Sequence, residues 1–321
     1  MKDTDIVVVA ESDDKIEALD SVIERSAFFE DVEDVLNRTG KSKDEFLIAI
    51  KPNIMMIYSK EHLHVGTDPE LVEHLAKQIT GEGYLNVKLV ESRNVYTDWF
   101  PKRTVKRVAD IVGYTFSGYE LVDLTEEQEP YDYGGKLGKD FVGKTWKNAD
   151  YRISFQKNKT HILVPYTLSM KNIFGTTPRQ SKYEEYHETI GWKETTIDVL
   201  RNFPPDFAFI DAFWSSDGIN GCVFENSEYT KTIIGGKSFI AVDWVGALKM
   251  GLDPIENQLM KMAIDTFGKP EFDVDGSLYP YKNWKNSSMR MGHIIRFFEH
   301  LGLSSVLYHL VFMFLMDEEF R

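Results

Sequence analysis

Apolar and polar residues alternate from 151 to 156, with Tyr151, Ile153 and Phe155 on one side and Arg152, Ser154 and Gln156 on the other. A period of two predicts a strand with one buried face. Lys157, Lys159 and His161 keep the same spacing, so an extended chain would send all three side chains to one side of the strand end. Short apolar runs predict further strands at 5–10, 46–50, 87–90, 120–124 and 207–211, and two brief ones at 230–234 and 239–242. Helical periodicity, bounded by start and stop residues, fills the intervals. One helix spans 14–37 before Gly40, a second starts at Pro69 behind Thr67 or Asp68 and runs to 80, and a third covers 102–112 and stops at Gly113. Downstream, 167–172 predicts a short helix ended by Gly175, followed by helices at 191–202, 243–251 and 255–267. Residues 125–143, rich in acids, Tyr and Gly, predict a surface loop or small hairpin, and SSDGINGC at 215–222 predicts turns.

Strands alternating with helices predict an α/β fold with mostly parallel sheet or sheets flanked by helices, in two closely joined lobes. The first lobe takes 1–125, the second 126–285, and a helical segment 286–321. Within that segment, 290–316 predicts a long apolar helix or helix pair. Its unbroken apolar part, from about Leu301, is shorter than the roughly 20 residues a bilayer span needs. A core helix or a contact with a second copy of the chain is favoured over a membrane, so a homodimer stays open.

Composition narrows the function. With 321 residues, 42% hydrophobic and 13% aromatic, the chain has ample material for a folded core. A net charge of −14 sets an overall repulsive field against a long nucleic acid, which is not an expected partner. Cys222 is the one cysteine, so the chain has no internal disulfide, no cysteine zinc site and no self-contained iron–sulfur cluster. Cys222 itself reads as a small buried apolar residue. The N-terminal MKDTDIVVVAESDD lacks the pattern of a signal peptide, and a cytoplasmic location is the expectation. No Walker loop, strand-borne GxGxxG, nucleophile elbow or HExxH is present.

Charge distribution changes the picture at the alternating strand. No Asp or Glu falls between Asp150 and Glu184, whereas Arg152, Lys157, Lys159, Lys171, Arg179 and Lys182 all do. Cationic groups gathered at one strand end repel one another unless an anion, a carboxylate or water lies between them. The helix start at 167 would add free N–H groups and a positive dipole end. A small anionic molecule is therefore the expected partner, as substrate or as a cofactor of unknown identity. In a parallel sheet the other strand ends share this edge, bringing Lys51, Asn53, Glu91, Asp211 and Asp217 towards the cluster, with Lys171 and Asn172 on the short helix. Such a mixture suits proton transfer on a bound acid, with Lys157, Lys159 and His161 as catalytic candidates and the others as binding ones. Isomerase or epimerase chemistry is one class that matches it; a non-catalytic carrier of an anionic cofactor or metabolite is the alternative. His187, set among acids in KYEEYHET, joins the binding set and reads as a helix-surface histidine whose pKa those acids raise. His62 and His64, two apart in a predicted loop, have a spacing a metal would accept.

These residues match a pattern. The chain resembles the prokaryotic family called Domain of Unknown Function 362: a strand ending in Lys51, Pro52 and Asn53, a helix start at Thr67, Asp68 and Pro69, and a strand ending in Glu91 and Ser92. Its central Lys-x-Lys-x-His segment is matched by Lys157, Lys159 and His161, leading to Lys171, Asn172, Phe174 and Gly175. His187, then Asp211, Asp217 and Gly218, and the segment GGKSFIAVD ending at Asp243 complete the resemblance, which covers about 44–265. Position 237 is Lys where the family has Asp, so no role of that acid carries over. Many members carry a ferredoxin-like iron–sulfur module or an export signal; neither is seen here, so the resemblance does not imply electron transfer.

Overall fold

The computed structural model describes residues 5–287 and 304–321. The alternating segment becomes β7 (Tyr151–Thr160), near the middle of a nine-stranded sheet. On one side of it lie β2 (Ile48–Pro52), β3 (Val87–Glu91) and β4 (Glu120–Asp123), all parallel to it and to one another. On the other side β9 (Phe207–Asn220) is parallel, β10 (Phe224–Gly236) antiparallel, and β1 (Asp5–Glu11) and β11 (Phe272–Asp275) close the edge. The two-residue β8 (Tyr166–Thr167) folds back on β7. Strands from both expected lobes thus share one sheet.

Alternating residues of these strands face two apolar layers, as buried parallel strands require. Val8, Ile48, Ile50, Leu89, Ile153 and Phe209 pack on one face; Val7, Val9, Ala49, Val90, Ala208 and Ile210 face the other. The first face is covered by α1 (Lys15–Arg25), α2 (Phe28–Thr39), α3 (Pro69–Gly81) and α5 (Val105–Val112), which follows the short α4 (Val95–Trp99). The second face carries α6 (Lys144–Asn148), α7 (Ser169–Ile173), α8 (Trp192–Asn202), α9 (Phe239–Lys249) and α10 (Gln258–Phe267). Residues 128–143 form a small antiparallel hairpin of β5 (Gln128–Asp132) and β6 (Lys139–Gly143).

Three expectations need correction. The helix read across 14–37 is two, because Ala27 adopts a left-handed φ of 53° and turns the chain so that Phe28 and Val32 join Leu19 and Val22 in one layer. The strand read at 239–242 is the first turn of α9, capped by Ser238, whose Oγ accepts from Ala241 N. A continuous apolar run does not distinguish a buried strand from a helix buried on most sides, and Ile240, Ala241, Val242 and Val245 are all buried. Of the turns read at 215–222, residues 215–220 are instead the extension of β9, paired with β10 in a long hairpin, and the chain turns at 221–223. Of the long apolar helix expected at 290–316, residues 288–303 lie outside the described residues. The described part is α11 (Ser304–Leu315), and no helix among the described residues is long and apolar enough to cross a membrane.

The short α7 owes its position to a distant residue. Asp243 of α9 accepts from Ser169 N at 2.7 Å and Met170 N at 2.9 Å. The helix end expected to face a ligand is thus occupied by the protein's own carboxylate. Burial lifts the Asp243 carboxyl to about 8 against the pull of those two bonds. Replacing Asp243 with Ala strands two buried N–H donors and should lower stability by about 1–3 kcal/mol, measured by chemical denaturation; an unchanged midpoint would show that α7 does not depend on this cap.

Candidate functional site

Three parallel strands deliver their carboxyl ends to one place: β2 brings Lys51 and then Asn53, β3 brings Glu91 and Ser92, and β7 brings Lys159 and then His161. Above them run α7, with Lys171 and Asn172, and the turn Phe174–Thr176. Together with the hairpin residues Asn220, Cys222 and Val223 they enclose a cavity of about 220 Å³. Gly175 leaves room for the Lys51 ammonium. A Cβ there would lie 2.9 Å from Lys51 Nζ and 3.4 Å from Glu91 Oε1.

Charge at this cavity is unbalanced. Lys51 pairs with Glu91 at 2.8 Å and also donates to Pro52 O at 2.7 Å and Asn172 Oδ1 at 3.3 Å. Burial lowers the Lys51 pKa, and Glu91 opposes that. Lys159 has only neutral oxygens, Asn53 Oδ1 at 2.7 Å and Val65 O at 2.8 Å, with the Cys222 thiol beside it. Lys182 likewise donates to Ser92 Oγ and Arg93 O, each at 2.5 Å. Lys171 lies over the rings of Trp192 and Phe174, at 5.3 and 5.9 Å. Among the described residues, none of Lys159, Lys171 and Lys182 has a carboxylate within 4.0 Å. Burial therefore acts on them with little compensation: it pushes Lys171 down to about 8 and Lys182 to about 7, and lowers Lys159.

The two imidazoles are held neutral. His161 Nδ1 accepts from Leu163 N at 3.1 Å. A backbone N–H only donates, so the neutral ring carries its proton on Nε2 and has that one donor to offer. Burial, with Lys171 adding to it, pushes His161 well below its usual pKa. His187 departs from expectation: it lies partly buried in a wide helical turn, Tyr183–Ile190, stacked on Trp192 with ring centroids 6.2 Å apart. Its pKa falls to about 3 instead of rising, through burial first and Lys171 second. Acidic neighbours in sequence were outweighed by the basic residue that the fold places beside it.

Of the residues predicted from sequence, Lys51, Asn53, Glu91, Lys159, His161, Lys171, Asn172 and His187 line the cavity together. Lys157, Asp211 and Asp217 do not. Lys157 is paired with Asp211 at 2.8 Å, both side chains buried, and Asp211 also accepts from Asp68 N at the start of α3. A register shift between Lys157 and Lys159 in the pairing with β9 separates the two lysines that a regular strand would have placed alike. Asp217 sits in the β9–β10 hairpin and accepts from Asn226 Nδ2 at 3.1 Å and Lys285 N at 2.6 Å.

Sequence reasoning missed Lys182, Cys222 and the apolar wall. Lys182 fell inside the acid-free window, which was signal enough to include it. Cys222 is buried as expected, yet it faces the cavity, and nothing in its local sequence marks that. The wall of Met55, Met56, Tyr96, Trp99, Leu163 and Phe174 is drawn from four separate segments. A ligand filling the cavity would meet ammonium groups together with methionine and aromatic side chains.

Comparison with known proteins adds a family. Curated protein sequences give no match to this chain. Among solved structures, the lactate racemase apoprotein from Thermoanaerobacterium thermosaccharolyticum is similar at 12% identity with a TM-score of 0.34, over 64% of this chain and 50% of that one. The chain thus spans half the length of that protein. A family profile matches residues 48–248, from the start of β2 to the last turn of α9. With nearly two thirds of its length covered by that match, the chain belongs to the family described as a domain of unknown function, DUF362.

Proposed function

We propose that this protein is an enzyme that binds a small anion with an apolar portion in the cavity at the strand ends, and moves a proton on it. The observation that carries this reading is the charge imbalance: among the described residues, four lysines face one pocket and one carboxylate, Glu91, answers one of them. Lys159 and Lys171 hold the anion, and the His161 Nε2–H donates to it. Lys182, brought to about 7 beside Ser92, is the proton-transfer group, since a group that titrates near the working pH both gives and takes a proton readily. Lys51, tied to Glu91, keeps the floor charged and fixed. Lys157 and Asp211, paired with each other, hold the strand end and stay out of the proton path. Removal of a proton next to a carbonyl, as in an isomerase or epimerase, is the reaction class this supports.

Binding is tested by calorimetry with inorganic phosphate, sulfate and small dicarboxylates. Lys171→Met and Lys182→Met should each weaken the best of these anions at least tenfold, because a charge pair about 4 Å apart at an effective dielectric of 20 is worth about 4 kcal/mol. Variants that bind as the wild type does would remove the anion site.

Affinity for a dicarboxylate, whose own charge is constant above pH 6.5, should fall as pH rises through 7 and again through 8. Lys182 and then Lys171 lose their protons in that range, and the neutral amines no longer attract the anion. A flat profile between pH 6.5 and 9 would contradict these assignments.

Catalysis is tested in D2O by NMR, following C–H to C–D exchange next to the carbonyl of each carboxylic or phosphorylated acid that binds. Exchange with the wild type and its loss by about a hundredfold or more in Lys182→Met, with binding detectable in both, is the expected result. Binding without exchange of any bound acid would favour the carrier reading over the enzyme.

A further inference from the structure

Outside the cavity, two histidines and a carboxylate converge where the turn Lys60–Val65 meets the start of β10. His62 Nδ1 touches Glu225 Oε1, His64 Nε2 lies 3.8 Å from the same oxygen, and the three atoms all lie within 4.8 Å of one another. His62 Nδ1 and His64 Nε2 are both buried and neither makes a hydrogen bond of acceptable geometry. Buried polar atoms are normally satisfied. Two imidazole nitrogens that face one carboxylate, itself 1% exposed, without a well-aligned hydrogen bond to it make an arrangement that a bound cation would complete.

The surroundings are preset to hold these groups. Tyr58 OH donates to Glu225 at 3.1 and 3.3 Å from its two oxygens, which fixes the carboxylate plane. Ser59 Oγ accepts from Glu61 N, Lys60 N donates to Asp317 Oδ2 at 2.8 Å, and Ser216 Oγ donates to His64 O at 3.1 Å. Gly66 closes the turn where a Cβ would come within 2.8 Å of Asn53 O. Tyr58 thus orients a candidate ligand side chain directly, as the hydrogen-bonding groups around metal centres do, and the other bonds fix the backbone that carries the histidines.

We propose that His62, His64 and Glu225 form a binding site for a divalent transition-metal ion. Two imidazoles and one carboxylate suit Zn2+, Co2+, Ni2+ or Fe2+ over the oxygen-seeking Mg2+ and Ca2+. Ligand atoms at about 2.0–2.2 Å from zinc sit about 3.3 Å apart in a tetrahedral shell. The His64–Glu225 separation is close to that, and the His62–Glu225 contact opens by side-chain rotation to admit the ion. Three protein ligands leave at least one position for water or an incoming donor.

The test is a Co2+ titration of the untagged, metal-free full chain, followed by calorimetry and visible absorption, with Zn2+ as competitor. One Co2+ per chain, with the ligand-field bands of a four- or five-coordinate ion that Zn2+ abolishes, is expected. His64→Ala and Glu225→Gln should weaken binding at least a hundredfold, and Tyr58→Phe about tenfold, since it only orients the carboxylate. Thermal melting without metal reports whether each variant is folded. His62→Gln, at a side chain 38% exposed, serves if a more buried variant is not. A wild type without one-to-one binding or without bands overturns the proposal, as do folded ligand variants that bind Co2+ as tightly as the wild type.

Discussion

Taking an ammonium group out of water costs several kcal/mol unless something answers its charge, and this chain buries Lys51, Lys157 and Lys159 almost completely within a few residues of one sheet edge. Much of the local architecture is the response to that. Lys157 and Lys51 are answered by carboxylates from β9 and β3, strands that are neighbours only after the sheet has formed. Lys159 is answered by uncharged oxygens, Asn53 Oδ1 and Val65 O. Asn172 reaches from α7 to both the backbone and the ammonium of Lys51, through Nδ2 to its carbonyl at 2.8 Å and through Oδ1 to Nζ at 3.3 Å. Neutral acceptors leave most of the positive potential in place, so the cavity remains attractive to an anion while its walls stay hydrogen-bonded.

The mostly parallel sheet was legible because parallel strands buried on both faces must be short apolar runs, and 46–50, 87–90 and 207–211 are such runs. The acid-free window was legible for a similar reason: a carboxylate inside it would have cancelled the potential the fold builds there. What was not legible depended on long-range placement. The Lys157 ion pair requires Asp211 to arrive in register beside it, and the shift that parts Lys157 from Lys159 is a property of the pairing with β9, which no local period reveals. His187 was misjudged because the sequence displays its neighbours along the chain, whereas its protonation follows first from burial and then from Lys171 across space. Phe239–Lys249 was misread at its start because a helix buried on most sides has almost no polar stripe to mark its period.

The family profile ends at residue 248, just past Asp243, and Asp243 holds the N-terminus of α7 in place. The matched region therefore closes on itself: the first matched strand end supplies Lys51, and one of the last matched residues fixes the helix that carries Asn172 to it. Outside the match, β1 and β11 extend the sheet without touching the cavity.

The apolar wall of the cavity leans on residues far along the chain. Phe312 packs against Tyr96 with ring centroids 4.2 Å apart and against Tyr58 at 5.8 Å, His309 stacks on Trp99 at 4.9 Å, and Asp317 ties back to Tyr58 and Lys60 across 257 positions in the latter case. Contacts so remote in sequence cannot form until the end of the chain is available to make them. The strands and their lysines can assemble while the chain is still being synthesised, but the wall that shapes the pocket waits for residues 309–320 to emerge and dock. A nascent chain thus passes through a stage in which the cationic edge exists without its apolar partner, with Tyr96 and Trp99 open to water and to other chains. Avoiding aggregation during that interval is a demand on this protein that its finished structure conceals.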